Sequence, residues 1–265
     1  NDSLRKFRDL DEKLATELKM PFADVHNALI DSMVKAKAAL GEDYDVCGRD
    51  GVHPGVNGHL AMAYAFLKAL GCDGAIGTIT VDLAAKTAEA SAGHKATVGA
   101  DGIEVESARM PFCAWGDAKT SNGTRSLLPF LPFNQDLNRF VLCVKGLTAE
   151  TVTVTWGAEK KDFPRAALEK GINLAAEFEK TPFDEAFQKF MQAVAEKQNF
   201  ETGMIKGVIT NFRIFKDQFK DDAEVQAAVG VLRGRLLKKQ GELDEAARKL
   251  LVPVKHRIQV TPAAN

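Results

Sequence analysis

Residues 50–59 have the sequence Asp-Gly-Val-His-Pro-Gly-Val-Asn-Gly-His, and an apolar stretch from Leu60 to Leu70 follows them directly. Asp50 and His53 lie three residues apart in a segment punctuated by glycine and proline, where the backbone can fold a carboxylate back towards an imidazole. A serine hydrolase uses such a pair, because the imidazole acts as general base while the carboxylate fixes its tautomer and stabilises the imidazolium. The segment therefore predicts a catalytic loop ahead of a helix, with Asp50 and His53 as its acid–base residues.

Two helices and a short strand are predicted on the N-terminal side of this loop. Apolar residues recur at helical spacing from Leu4 to Leu18, with charged residues between them, which indicates an amphipathic helix. Residues 28–40 indicate a second helix, and residues 22–25 (Phe-Ala-Asp-Val) between the two predict a buried strand of the parallel kind. Because one short strand cannot form a sheet by itself, we expect its neighbours to lie outside these 265 residues.

This arrangement resembles the last conserved block of the SGNH (GDSL-type) hydrolase family. The resemblance is carried by residues 50–54 (Asp-Gly-Val-His-Pro) and 58–63 (Gly-His-Leu-Ala-Met-Ala), and it covers residues 1–71. In that family the Asp-x-x-His pair completes a triad with the serine of a Gly-Asp-Ser motif, and a glycine and an asparagine complete the oxyanion hole. The resemblance implies an esterase or acylhydrolase that acts on a carboxylic ester, with an O-acetyl group on a carbohydrate as one candidate. It implies Asp50 and His53 as catalytic residues and neither a cofactor nor a metal.

The family's nucleophile block is missing from the sequence. No Gly-Asp-Ser is present, and no Gly-x-Asn-Asp in a matching context. The opening Asn1-Asp2-Ser3 leads straight into a helix instead of following a strand, so we do not assign Ser3 as the nucleophile. The chain also opens without Met or a signal peptide. We therefore expect a C-terminal fragment of an SGNH hydrolase, inactive alone, whose extracellular or periplasmic location is implied by the resemblance only.

Two alternatives to this interpretation stay open. The chain could be a binding or structural module that retains an inactive hydrolase remnant, or a second chain could supply the nucleophile. A search for a Gly-Asp-Ser block in the DNA upstream of Asn1 distinguishes the first alternative from an intact enzyme.

The rest of the chain divides into a β-rich zone and a helical zone. Residues 72–179 predict a β-rich accessory domain with antiparallel strands, to which residues 254–260 return as a further strand. Residues 180–252 predict a helical hairpin that is ended by Pro253. The predicted fold class is thus α/β, the truncated C-terminal part of an SGNH three-layer domain, followed by a β-rich domain and a helical hairpin. The clearest strands are residues 76–81, 102–106, 140–144 and 151–156.

Composition and charge argue against several classes of partner. A formal net charge of −1 provides no basic footprint for nucleic acid and no polybasic patch for a membrane. No apolar run reaches the length of a membrane span. The predicted ligand is therefore a small-molecule or carbohydrate ester, with no nucleic acid and no membrane span. The charged run Arg233–Lys239 is interpreted as a solvated helix face.

The remaining candidate residues are interpreted as structural or left with alternatives. His59 is expected to be structural, and a metal site from Asp50, His53 and His59 would need a further ligand that the sequence does not supply. Three loop aromatics could form a sugar-binding platform or fill a domain interface: Trp115, Phe130 and Phe133. Four widely spaced cysteines could be free thiols or form disulfides: Cys47, Cys72, Cys113 and Cys143. Three isolated histidines are expected to be structural: His26, His94 and His256.

Overall fold

A computed structural model describes residues 2–48 and 50–263 of the chain. The chain divides into two compact units. The larger unit contains Asn1–Thr181 together with Lys255–Asn265, and the smaller unit contains Pro182–Val254. The predicted mixture of helices and strands is confirmed, since the described residues form two sheets and several helices. An SGNH three-layer domain is not shown, because no strand precedes residue 75 among the described residues.

The larger unit begins with helices, and the smaller unit is mainly helical. The larger unit contains α1 (Asp2–Leu18), α2 (Val25–Leu40), α3 (Val56–Ala69), a 3-10 helix (Arg125–Phe130), α4 (Phe133–Asp136), α5 (Arg165–Lys170) and α6 (Leu174–Glu177). The smaller unit contains α7 (Asp184–Thr202), a π-helical segment (Gly203–Thr210), α8 (Asn211–Gln218) and α9 (Ala223–Arg248). Over the described part of the chain, none of the helices has both the length and the apolar character needed to cross a bilayer.

The strands form a four-stranded and a five-stranded sheet. They are β1 (Ala75–Asp82), β2 (Thr87–Ala90), β3 (His94–Gly99), β4 (Gly102–Ser107), β5 (Arg139–Lys145), β6 (Thr151–Trp156), β7 (Glu159–Pro164), β8 (Ile172–Asn173) and β9 (Val254–Pro262). The sheet orders are β2-β1-β5-β8 and β3-β4-β9-β6-β7. The expected strand at the C-terminal end is β9, which pairs with β6 in antiparallel register, Val154 opposite Val260.

The expectation of purely antiparallel sheets is wrong at one position. Strands β1 and β5 run parallel, with Val81 opposite Val144. A parallel pair needs a long crossover, and residues 83–138 between these two strands provide it. The strands β2, β3, β7 and β8 were not predicted, because they are short or alternate only weakly between apolar and polar residues. Their pairing with stronger strands defines them.

The predicted strand over residues 22–25 is also wrong. These residues leave α1 and enter α2 without pairing, and the carboxylate of Asp24 accepts a hydrogen bond from the Asn27 backbone N–H at 3.0 Å as the N-cap of α2. Arg8 donates its Nε to the same carboxylate at 3.0 Å and lies over the Phe22 ring, 5.4 Å from its centroid. The side chain that the sequence pattern assigned to a strand thus caps a helix and pairs with an arginine.

Helices α2 and α3 pack on the long connection between β4 and β5 instead of on a sheet of their own. Ala36, Leu60 and Ala61 from these helices share one buried cluster with residues of that connection. The connection contributes Leu127, Leu131, Phe133 and Leu137. Residues 1–71 therefore belong to the same compact unit as the β-rich segment. In contrast, α1 contains no buried residue.

A second core is centred on Trp156 and Phe140, which are fully buried with ring centroids 5.9 Å apart. Beside them runs a chain of buried hydrogen bonds. The indole Nε1 of Trp156 donates to His256 Nδ1 at 3.1 Å, and His256 Nε2 lies 3.0 Å from the Ser107 hydroxyl. That hydroxyl lies 2.8 Å from His94 Nδ1, and His94 Nε2 lies 2.9 Å from the Ile76 carbonyl oxygen.

The two ends of this chain fix its direction. An indole N–H can only donate, so His256 accepts on Nδ1 and donates from Nε2 to Ser107. A carbonyl can only accept, so His94 donates from Nε2 to Ile76. The His256 imidazole is consequently neutral in this arrangement. Burial, and secondarily the neighbouring His94, lower the pKa of His256 from 6.5 to about 4. The network connects β1 of one sheet with β3, β4, β6 and β9 of the other, so it joins the two sheets through polar contacts.

We expect acid to destabilise the larger unit through His256. The unfolded chain binds a proton near pH 6.5 whereas the folded chain excludes it down to about pH 4. The neutral His256 therefore makes its full contribution to the free energy of unfolding above the unfolded pKa. As the pH falls through that window, the free energy of unfolding decreases by about 3 kcal/mol at most. Denaturant unfolding followed by tryptophan fluorescence across the window measures the effect. His256→Gln should reduce the slope of stability against pH, and His59→Gln, an exposed imidazole, should not. Equal slopes in wild type and His256→Gln would contradict this assignment.

Candidate active site

The candidate site lies on the loop that joins α2 to α3. α2 ends at the C-cap Gly41, and α3 begins after the N-cap Gly55. Buried groups hold the loop at its base. The hydroxyl of Tyr44 lies 2.7 Å from the Ser126 hydroxyl, and the Asn57 amide donates to the Asp45 carbonyl at 2.6 Å. The loop is therefore attached both to the start of α3 and to the 3-10 helix.

Asp50 and His53 contact each other as the three-residue spacing predicts. The Oδ2 atom of Asp50 lies 2.6 Å from His53 Nδ1. Its Oδ1 atom accepts from the backbone N–H groups of Val52 and His53, each at 3.0 Å. This turn requires Gly51 at φ +72°, a conformation that side-chain-bearing residues rarely adopt.

The hydrogen bonds to the carboxylate keep it ionised. The bond from His53, followed by those from the Val52 and His53 backbone, lowers the pKa of Asp50 to about 2. An ionised carboxylate on Nδ1 places the proton of the neutral imidazole on that nitrogen and leaves Nε2 as a free base. The His53 side chain is 84% exposed, and Nε2 has no hydrogen-bond partner among the described residues. The pair can thus take a proton from an incoming group, and its catalytic role stays a prediction.

A cleft of about 970 Å³, lined partly by apolar and partly by charged residues, borders the loop. One side is formed by loop residues Gly51, Val52 and Pro54, next to His53. The other side is apolar and is formed by Leu29, Ile30 and Met33 of α2 and by Met62 of α3. The cleft could receive the apolar part of a substrate or of a further polypeptide segment.

Among its described lining residues the cleft contains one thiol, Cys47, and no serine or threonine hydroxyl. Burial, and secondarily the charge of Asp45, raise the pKa of the Cys47 thiol, so it is poorly suited to attack. Ser3 lies in the first turn of α1 and is exposed, and no hydrogen bond connects it to His53 in the described structure. Sequence reasoning named Cys47 only as one of four cysteines and did not predict the cleft, because α2 and α3 form the cleft only when they pack.

The other sequence candidates occupy structural positions. His59 Nδ1 lies 2.9 Å from the Gly55 carbonyl oxygen in the first turn of α3. Phe133 is buried and packs on Phe112, with ring centroids 5.1 Å apart, while Trp115 is 41% exposed. The three loop aromatics therefore do not form one exposed platform. Within residues 2–48 and 50–263, no group of three His, Cys, Asp or Glu side chains is placed to hold a metal ion. None of the four cysteines forms a disulfide in the described structure.

His26 differs from the other isolated histidines because it faces the cleft. Its Nδ1 lies 3.2 Å from the Asn27 side-chain oxygen. Its Nε2 is buried and has no hydrogen-bond partner in the described structure. This leaves one unpaired polar atom beside the apolar wall of the cleft.

Comparison with known proteins gives one similarity of fold. No protein-family model matches the chain, and no curated protein matches it. A solved structure described as a gut microbial diltiazem-metabolizing enzyme superposes with a TM-score of 0.68 at 19% identity. The superposition covers 99% of this chain and 67% of that chain. At this identity the similarity shows a shared fold and nothing further.

We expect the Asp50 carboxylate to determine the tautomer of His53. In the wild type the neutral ring should carry its proton on Nδ1, because that nitrogen faces the carboxylate. Asp50→Ala should remove this preference and shift protons towards Nε2. Long-range ¹H–¹⁵N NMR correlation spectra of the imidazole distinguish the two tautomers. Asp43→Ala, which removes an exposed carboxylate from the same loop, should leave the spectrum unchanged. An Nε2–H tautomer in the wild type would show that the carboxylate does not orient the ring in solution.

Proposed function

We propose that this chain provides the acid–base half of an ester hydrolase of the SGNH type. The observation that carries the proposal is the 2.6 Å contact between Asp50 and His53 Nδ1, with an accessible Nε2 at the edge of the cleft. The Asp-x-x-His-Pro sequence and the helix after it support the family. The fold shared with an enzyme supports a catalytic architecture, although that similarity speaks to fold alone.

In the proposed reaction His53 Nε2 accepts the proton of a serine hydroxyl as that oxygen attacks the ester carbonyl. The resulting imidazolium donates its proton to the departing alcohol, and an acyl-enzyme remains. His53 then takes a proton from water, the hydroxide displaces the serine, and the imidazolium returns the proton to the serine oxygen. Asp50 stays ionised throughout and stabilises each imidazolium.

We propose that the serine is supplied by polypeptide beyond the 265 residues given. The sequence contains no Gly-Asp-Ser, and the nucleophilic side chain in the cleft, Cys47, is held as a thiol. The part of the diltiazem-metabolizing enzyme that this chain does not match, about one third of its length, offers one position for such a segment.

The surface around α1 supports a missing segment of this kind. Apolar side chains at helical spacing on α1 are between 44% and 67% exposed: Leu4, Phe7, Leu10, Leu14 and Leu18. An uncovered apolar stripe of this length is characteristic of a helix that packs against another element. Leu4 also lines the cleft next to the catalytic loop. We propose that the segment with the nucleophile covers this stripe and places its serine at His53 Nε2.

The alternative of an inactive binding module is favoured by one observation. Among the described residues no hydroxyl or thiol lies within hydrogen-bond distance of His53 Nε2. In that case the cleft binds an apolar ligand, and the Asp50–His53 contact stabilises the loop only.

An ester-hydrolysis assay distinguishes the two functions. We expect the chain as given to be inactive on acetyl esters and the chain extended by the coding sequence upstream of Asn1 to be active; diltiazem belongs among the compounds tested. In the extended chain His53→Ala should lower kcat by roughly 10³-fold or more, and Asp50→Ala should lower it less. His59→Ala is the matched control, since that imidazole only contacts the Gly55 carbonyl.

Three results would count against this proposal. Inactivity of the extended chain favours the binding module. Activity of the short chain that is lost with Ser3→Ala would make Ser3 the nucleophile. Activity of the short chain that survives Ser3→Ala but is lost with His53→Ala would indicate water activated by His53.

A further inference from the structure

The end of the helical hairpin in the smaller unit carries an uncovered apolar face. We call residues 203–239 the hairpin tip; they contain the π-helical segment, α8 and most of α9. Apolar side chains three or four residues apart along the π-helical segment, α8 and its C-cap are 41–53% exposed: Ile205, Ile209, Phe212, Phe215 and Phe219. Phe212 and Phe215 are neighbours on this face, with ring centroids 6.1 Å apart. A contiguous face of large apolar residues on a water-exposed helix marks a binding surface.

The hairpin tip is also positively charged. It contains eight Lys and Arg residues against four Asp and Glu residues, a net charge of +4 in a chain whose net charge is −1. The cations are Lys206, Arg213, Lys216, Lys220, Arg233, Arg235, Lys238 and Lys239. The net charge of the whole chain therefore does not reveal this basic region.

Most of these cations are unpaired in the described structure, whereas two lysines of α7 are paired. Lys189 and Lys197 on α7 lie 2.6 Å and 2.9 Å from carboxylates one turn away. At the tip Lys238 lies 4.0 Å from a Glu242 carboxylate oxygen. In the described structure Arg213, Lys216 and Arg233, which line one groove, have no carboxylate within ion-pair distance. Unpaired cations beside an apolar face are available to an anionic partner.

The apolar face and the cations meet at a groove between the two helices of the tip. This groove, of about 220 Å³, is lined by apolar side chains that include Phe212 and Leu232. The cations Arg213, Lys216 and Arg233 stand at the same groove. Arg233 belongs to the run that the sequence presents as a solvated helix face, and packing against α8 places it beside apolar residues.

We propose that the hairpin tip binds the surface of an anionic lipid membrane. The apolar face would enter the boundary between headgroups and acyl chains, and the cations would contact the lipid phosphates. This mode needs no membrane-spanning helix. A second copy of the tip is disfavoured because two surfaces of charge +4 repel each other. Nucleic acid is disfavoured because it would leave the phenylalanines in water. The inference does not depend on ester hydrolysis.

Vesicle co-sedimentation of the full chain tests the proposal. We expect binding to phosphatidylcholine vesicles that contain phosphatidylglycerol, weaker binding at high salt, and little binding to phosphatidylcholine alone. The triple variant Arg213→Glu/Lys216→Glu/Arg233→Glu should lower the partition coefficient by about 100-fold or more, because each cation near an anionic surface contributes about fivefold. Phe212→Ser/Phe215→Ser should also lower it while the charge stays constant.

A matched variant controls for net charge. Lys86→Glu/Lys119→Glu/Lys160→Glu changes the charge equally at exposed positions of the larger unit and should bind like the wild type. Circular dichroism verifies that each variant retains its helices. Equal loss of binding in the control triple, or equal binding to neutral vesicles, overturns the proposal. Absence of vesicle binding together with charge-dependent binding of an acidic peptide assigns the tip to a protein partner and overturns it too.

Discussion

The hydrogen bonds of Tyr44 connect the catalytic loop to the rest of the larger unit. Its ring is buried, and its hydroxyl lies 2.7 Å from Ser126 and 3.3 Å from the Asn57 amide nitrogen. Leaving such buried polar groups unpaired would cost about 1–3 kcal/mol each, so the loop base has one favourable position. Further along the loop, the Asp50 and His53 side chains are exposed. An exposed pair can keep a 2.6 Å contact because the base of the loop and the Asp50 turn are both fixed.

Buried hydrogen bonds also fix the core between the two sheets, where histidines have the role that Tyr44 has at the loop base. The network from Trp156 to the Ile76 carbonyl uses each ring nitrogen of two histidines once. Its direction is imposed by donors and acceptors that cannot exchange roles. The larger unit thus uses imidazole in two ways. His256 is buried and neutral within a closed network, whereas His53 is exposed, held on one side by a carboxylate and open on the other.

The two units present different kinds of surface. The apolar stripe of α1 carries many balancing charges, as in the pairing of Arg8 with Asp24, and it adjoins the cleft beside the catalytic loop. The hairpin tip combines apolar exposure with unpaired cations. The stripe of α1 is suited to contact with a polypeptide that completes a domain. The hairpin tip is suited to contact with a negatively charged surface. This difference separates a structural role for α1 from an interaction role for the tip.

The sequence alone determined the local features of this protein. The spacing of Asp50 and His53 across Gly51 dictated their contact, because a three-residue turn leaves little freedom to place the carboxylate elsewhere. Period-two alternation was sufficient for β1, β4, β5, β6 and β9, whose buried faces are strongly apolar. Tertiary structure decided the rest. Residues 22–25 have a strand-like composition, yet Asp24 caps α2 and pairs with Arg8, a contact sixteen residues away in sequence that no local pattern contains. The parallel pairing of β1 with β5, the cleft beside His53 and the meeting of Arg233 with Phe212 likewise depend on contacts between distant segments. Such contacts are selected by the packing of the whole chain, and only the folded structure shows them.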